Sequence, residues 1–165
     1  MAQSQNEQRK AWFNGFTKLK WGIFSEMRCA FIAKVINYDS EKHVADIQPL
    51  ANFSDGTESA QFLDVPVADN CYIIDEILDR LKPDFQAIDK NSTIAAHTNS
   101  NFINHYPKQH FMRAGVPVVA VVLDRDNDNW KGGREVNTYT PNSSRLHNAN
   151  DAIVIAVLGG DAIDG

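Results

Sequence analysis

No stretch of this chain is long and apolar enough to cross a bilayer, and its first ten residues, MAQSQNEQRK, lack the apolar core of a signal peptide. Stable membrane insertion is therefore not expected, whereas folding in a cytoplasm is. Basic charge is also short: 16 Lys and Arg against 21 Asp and Glu give a formal net charge of −5. A broad phosphate-binding face for nucleic acid is not expected on such a surface. Cysteine is scarce, and Cys29 and Cys71 sit in apolar contexts without a CxxC spacing, which predicts two buried free thiols rather than a disulfide or metal site. The sequence has no GxxxxGKS/T, GxGxxG or GxSxG motif, so nucleotide chemistry and a hydrolase elbow find no support. Its five histidines, His43, His97, His105, His110 and His147, form no HExxH or His-x-His pair. No cofactor and no catalytic residue are expected.

What the chain does have is hydrophobic pattern. Trp12, Phe16, Leu19 and Ile23 recur at spacings of four, three and four, and Phe13, Phe24 and Met27 widen that stripe, predicting an amphipathic helix over 1–27. Trp21 falls among the polar residues of the opposite face. A stripe with so few cations predicts packing on a protein surface rather than residence on a membrane.

From Cys29 the period shortens. CAFIAKVINY at 29–38 and HVADIQPL at 43–50 predict a hairpin, and QFLDVPV at 61–67 a third strand. Ile73, Ile74, Ile77, Leu78 and Leu81 return to helical spacing, with Pro83 expected to stop the helix. Residues 84–112 carry little periodicity, so 70–112 is expected to be a helical and irregular insertion.

The most informative stretch is RAGVPVVAVVLDRDNDNW at 113–130. Its apolar, mostly β-branched run predicts a strand buried on both faces, with Val121 in the core. The acids and amides after it must surface in a loop. A last strand is predicted over 151–157, DAIVIAV. Mainly β structure, with five strands and a helix between the third and fourth, matches a small Greek-key barrel of the OB type spanning 28–159, with 160–165 as a tail.

The acidic loop can be aligned with a calcium loop. Asp124, Asp126, Asp128 and Glu135 fall at positions one, three, five and twelve. Against this, position six is Asn129 rather than glycine, and a strand rather than a helix precedes the loop. A solvated turn with local Asp and Asn caps is the competing reading. Ser143, Ser144 and His147 cluster without any catalytic context. Two further function classes stay open on these residues: a calcium- or metal-dependent enzyme domain, and an OB-type binder of single-stranded nucleic acid.

Several blocks together resemble a known family. GVPVVAVVLDRDNDNW at 115–130 followed by PNSSRLHNANDAIVI at 141–155 is similar to the N-terminal OB-fold domain of phage membrane-puncturing spike and baseplate hub proteins. In that family a hydrophobic strand enters a D-R-D-x-D-x-W-like loop, and an Arg-x-His segment leads the last strand. HVADIQPL and DVPV at 64–67 resemble its other two strands. The resemblance implies a non-enzymatic virion component at a phage tail tip, assembled in the host cytoplasm. It also implies a homotrimer seated on other hub, tube or baseplate proteins. The family's puncturing members continue into a trimeric β-helix that this sequence does not contain, so an adaptor role is expected. Trp12, Phe16, Leu19, Ile23, Trp130, Arg145 and His147 are the candidate assembly residues.

Overall fold

A single five-stranded antiparallel sheet, curled into a half-barrel, carries most of the hydrophobic core. The computed structural model describes residues 4–91, 93–94, 100–132 and 136–159. Its strands are β1 (Ala30–Asp39), β2 (Val44–Pro49), β3 (Phe62–Pro66), β4 (Pro117–Val122) and β5 (Ala152–Val157), ordered β3-β2-β1-β4-β5. Helix α1 (Gln5–Glu26) precedes the sheet, and helix α2 (Ile73–Lys90) lies between β3 and β4. No helix of the described residues is long and apolar enough to cross a membrane.

The curl has local causes. The register shifts between Val35 and Asn37 on β1, between Ala45 and Ile47 on β2, and between Val119 and Ala120 on β4. Irregularities of this kind bend a strand and raise its twist. The two outer strands are thereby brought together at one end. There Val67 forms a parallel bridge with Val154, and the Ala68 N–H donates to the Val154 carbonyl at 2.8 Å. Pro49 and Pro66 end their strands and Pro117 begins one, positions where the missing N–H is tolerated.

The core is made of small and β-branched side chains, among them Ala33, Val35, Ile47, Val65, Val118, Ala120 and Val154. Phe31, Tyr38, Phe62 and Tyr72 are only partly buried around it. β4 alternates strictly: Val118, Ala120 and Val122 are buried, while Pro117, Val119 and Val121 are half-exposed. The expectation of a strand buried on both faces, with Val121 in the core, is thus corrected. When both faces of a strand are apolar, the sequence hides which of them points inward.

Two further expectations change. Cys71 is buried, but Cys29 is exposed at the edge of β1. α2 runs through Pro83 instead of stopping there. Pro83 removes one helical N–H donor, yet contacts on both sides of it hold the helix against residues 102–112. Asp75 accepts the N–H groups of Phe111 and Met112 at 2.8 and 3.0 Å, and Asp89 those of Phe102 and Ile103 at 3.0 and 2.9 Å. Phe85 stacks on Phe102 and Lys82 sits over the Tyr106 ring. Within the segment read as irregular, residues 102–112 are therefore tied down by α2's polar side chains, and 92 and 95–99 lie outside the described residues. Its apolar residues Ile73, Ile74, Ile77 and Leu81 are left exposed.

The alternation on β4 separates two neighbouring substitutions. Val118→Asp places an unpaired charge in the core and is expected to abolish cooperative unfolding, a loss of several kcal/mol, on the order of 4 or more. Val121→Asp is expected to remain folded, with a midpoint shift of about 1–2 kcal/mol. Urea denaturation followed by circular dichroism checks both; equal effects would contradict the burial pattern.

Candidate functional site

The polar chemistry of the chain converges where β4 ends and β5 begins. After Val122, the Leu123 N–H donates to the Asp151 carbonyl at 2.9 Å, so the outgoing acidic loop starts against the turn that leads into β5. That turn, Ala149–Asp151, is capped by the Asn148 side chain, which accepts the Asn150 N–H at 3.0 Å. Asp126 and Asp151 are both fully buried. Two carboxylates can lose water in this way only if strong donors replace it.

Arg145 is the principal donor. Its Nε and Nη2 form a fork on Asp151 at 2.8 and 2.7 Å, and Nη2 also reaches Asp126 at 3.2 Å and Asp128 at 2.7 Å. Ser143 Oγ donates to Asp126 at 2.6 Å, and the Asp128 N–H donates to the same carboxylate at 2.9 Å. The Asn127 N–H completes Asp151 at 3.1 Å. A planar guanidinium suits this arrangement because it offers donors in a fixed fork and keeps its charge. The hydrogen bonds that Arg145 donates to Asp151 and Asp128 hold its pKa well above the ordinary value. Asp126 is lowered, first by the Ser143 hydroxyl, then by the Asp128 N–H and, against its own desolvation, by the Arg145 charge.

The candidate calcium ligands are distributed differently from a calcium loop. Asp126 and Asp128 converge, but with Asp151, and the guanidinium of Arg145 lies among the three carboxylates. Asp124 is exposed beside Arg125, and Glu135 lies outside the described residues. The cation at this cluster is a side chain of the same protein. Chemically the arrangement is a cross-link between loops: each of its three carboxylates accepts hydrogen bonds from Arg145.

The candidate assembly residues divide into two groups. Trp12, Phe16, Leu19 and Ile23 stand exposed on α1. Arg145 instead points into its own chain. His147 adopts a φ of 47°, and its carbonyl accepts the Arg28 N–H at 3.4 Å, fastening this loop to the start of β1. Its Nδ1 is buried with no hydrogen-bond partner. Trp130 is half-buried and, with His43, Tyr72 and Lys131, lines a surface cleft of about 510 Å³.

A second polar constellation escaped the sequence reading. His43, at φ 54°, stacks flat on Tyr72 with ring centres 4.0 Å apart. Its Nδ1 lies 3.3 Å from the Tyr38 hydroxyl and its Nε2 3.5 Å from Glu76. Burial, then the neighbouring Tyr72 and Glu76, raises the Tyr38 pKa, so this phenol keeps its proton at neutral pH. The group joins the β1–β2 turn to the start of α2. Its only sequence signal was a histidine directly after a polar turn. No protein-family model matches this chain, and no curated protein matches it either.

Removing the guanidinium while the carboxylates stay should be costly. Arg145→Met is expected to lose about 3–5 kcal/mol, because it leaves buried charges unpaired. Arg145→Lys should retain part of that loss by keeping the charge without the fork. Equilibrium denaturation at pH 7 measures both, and a neutral Arg145→Met would contradict the cluster.

The depressed Asp126 pKa also sets a pH dependence. A carboxylate lowered in the folded state contributes stability that is complete above its unfolded pKa of about 3.9 and is lost as pH falls through the lower folded value. Asp39, Asp55 and Asp89 are lowered too, each first by a hydrogen bond, from the Lys42 N–H, the Thr57 hydroxyl and the Ile103 N–H respectively. Unfolding free energy should therefore decline below about pH 4. The decline should be shallower, though not flat, in Asp126→Asn. Denaturation series from pH 7 to pH 2.5 decide it; identical slopes would remove Asp126 from the account.

Proposed function

We propose that this chain is an OB-type barrel acting as a structural assembly module, a trimeric adaptor in the tail tip or baseplate hub of a phage or related injection machine. One observation carries the reading. The two most distinctive blocks of the sequence, at 115–130 and 141–155, supply Asp126, Asp128, Ser143, Arg145 and Asp151 to a single ion cluster. A motif whose polar residues are spent on each other in this way is a device for shape. That fits a family in which the barrel is a rigid mounting body.

The element order supports the OB-type assignment: a three-strand meander, a helix, then two strands, with β3 reaching β5 through the parallel bridge at Val67 and Val154. Exposed apolar residues on α1 and α2 support an assembly role, since an apolar patch of this extent usually marks an interaction surface. The acidic balance of the chain weighs against a nucleic-acid module. Arg145 among the acids weighs against a calcium enzyme.

Native mass spectrometry of the full chain is expected to give a trimer. Electron microscopy is expected to place that trimer at the end of a tube when tube and hub proteins encoded beside it are added. Calcium calorimetry and single-strand binding at low salt are expected to give no signal. A chain that stays monomeric at high concentration and joins no tube or hub would overturn the proposal.

A further inference from the structure

Among the described residues, α1 packs on no other element to any substantial extent. It begins with a complete capping box, in which Ser4 Oγ accepts the Glu7 N–H at 3.3 Å and the Glu7 carboxylate accepts the Ser4 N–H at 3.0 Å. It then runs 22 residues to Glu26. Helices of this length are marginal in water unless an apolar face is covered. Trp12, Phe13, Phe16, Trp21 and Phe24 are 58–71% exposed, and Leu19 and Ile23 more than half exposed. At about 150–250 Å² per aromatic side chain, Trp12, Phe13 and Phe16 leave on the order of 300–500 Å² of apolar surface in water on the seam side, which Leu19 and Ile23 extend. A stable protein interface takes about 800 Å² from each partner. The uncovered seam thus supplies a large share of what a full interface buries.

Its pattern points to the partner. Taking Phe16 and Ile23 as heptad position a puts Trp12 and Leu19 at d, a two-heptad apolar seam for a helical bundle, bounded by Arg9 at a and Glu26 at d. Position e holds Phe13, Lys20 and Met27. Position g holds Gly15 and Gly22, seven residues apart. A Cβ placed on either glycine would meet nothing within 4 Å, so no contact inside the chain calls for glycine there. Glycine is the poorest helix former after proline, and two at one heptad position are explained by a neighbour that needs the space. In a parallel bundle, each g residue faces the e residue five positions further along the adjacent helix. Gly15 then receives Lys20, and Gly22 receives Met27. A two-stranded contact covers little beyond a and d, whereas these flanks are covered when each helix has two neighbours.

We infer that α1 is a self-association helix, packing in parallel with the α1 helices of two further copies of this chain around Trp12, Phe16, Leu19 and Ile23. The inference rests on the trimeric reading above and names the element that makes the trimer. The bundle closes in register, with Phe16 facing Phe16 and Leu19 facing Leu19, and the glycine flank of each helix seats the bulkier flank of the next.

The test uses the full chain in a Cys29→Ser background, with light scattering for mass. Phe16→Asp with Leu19→Asp is expected to convert trimer to monomer while the sheet's circular dichroism and melting persist. Gly22→Leu, which favours an isolated helix, is expected to weaken the trimer at least tenfold. Leu19→Cys is expected to cross-link between copies on oxidation, as parallel d positions require. A trimer that survives the aspartates, or that tolerates Gly22→Leu, overturns the inference and leaves the trimeric reading standing. A wild-type monomer overturns both. Cross-linking only between Phe16→Cys and Leu19→Cys chains would show an antiparallel pair instead. Monomer that sediments with phosphatidylglycerol vesicles would make α1 a lipid-binding helix, which also overturns it.

Discussion

The guanidinium of Arg145 is the constraint on which the polar end of the sheet depends. Asp126 and Asp151 have no exposure of their own, and carboxylates in that position stay ionised only while donors surround them. Arg145 bonds Asp126, Asp128 and Asp151 from a third segment of chain. The exit of β4 and the entrance of β5 are therefore locked to the loop that carries Arg145. A buried ion cluster of this kind contributes specificity of geometry more than net stability, because its Coulomb gain is offset by desolvation.

That geometry sits on a core with little volume to spare. Alanine and valine dominate the interior, and the largest fully buried side chains are Ile47 and Met112. Aromatic rings ring the core or stand outside it. The apolar surface of the molecule has accordingly moved to the two helices. α2 faces inward with carboxylates that collect backbone N–H groups from 102–112, and outward with isoleucines. α1 makes no substantial contact with the sheet among the described residues. Both helices leave apolar residues uncovered among the described residues, and the proposed assembly role rests on that surface.

Much of the architecture was legible in the residues. Strand periodicity placed all five strands to within two residues, and the four-three-four spacing placed α1. The site was legible only as two separate blocks of resemblance. Asp126 read as part of a solvated turn, with a calcium loop as the lesser alternative, and Arg145 as an assembly contact, because nothing local in either block names the other. His43 carried almost no signal, since its partners lie on β1, Tyr38, and far along the chain at the start of α2, Tyr72 and Glu76.

The division between the two kinds of information follows from distance along the chain. Periodicity, turn chemistry and caps act over a few residues, so the sequence alone determined where the strands lie, where α1 begins and where the acidic loop must surface. Four matters were left to the tertiary structure: which face of β4 is buried, that α2 survives Pro83, that its apolar stripe points outward, and that a cation from residue 145 fills the acids at 126, 128 and 151. Each depends on which distant segment closes against which. That outcome follows from the bulges that curl the sheet and the charges that cannot be left unpaired inside it.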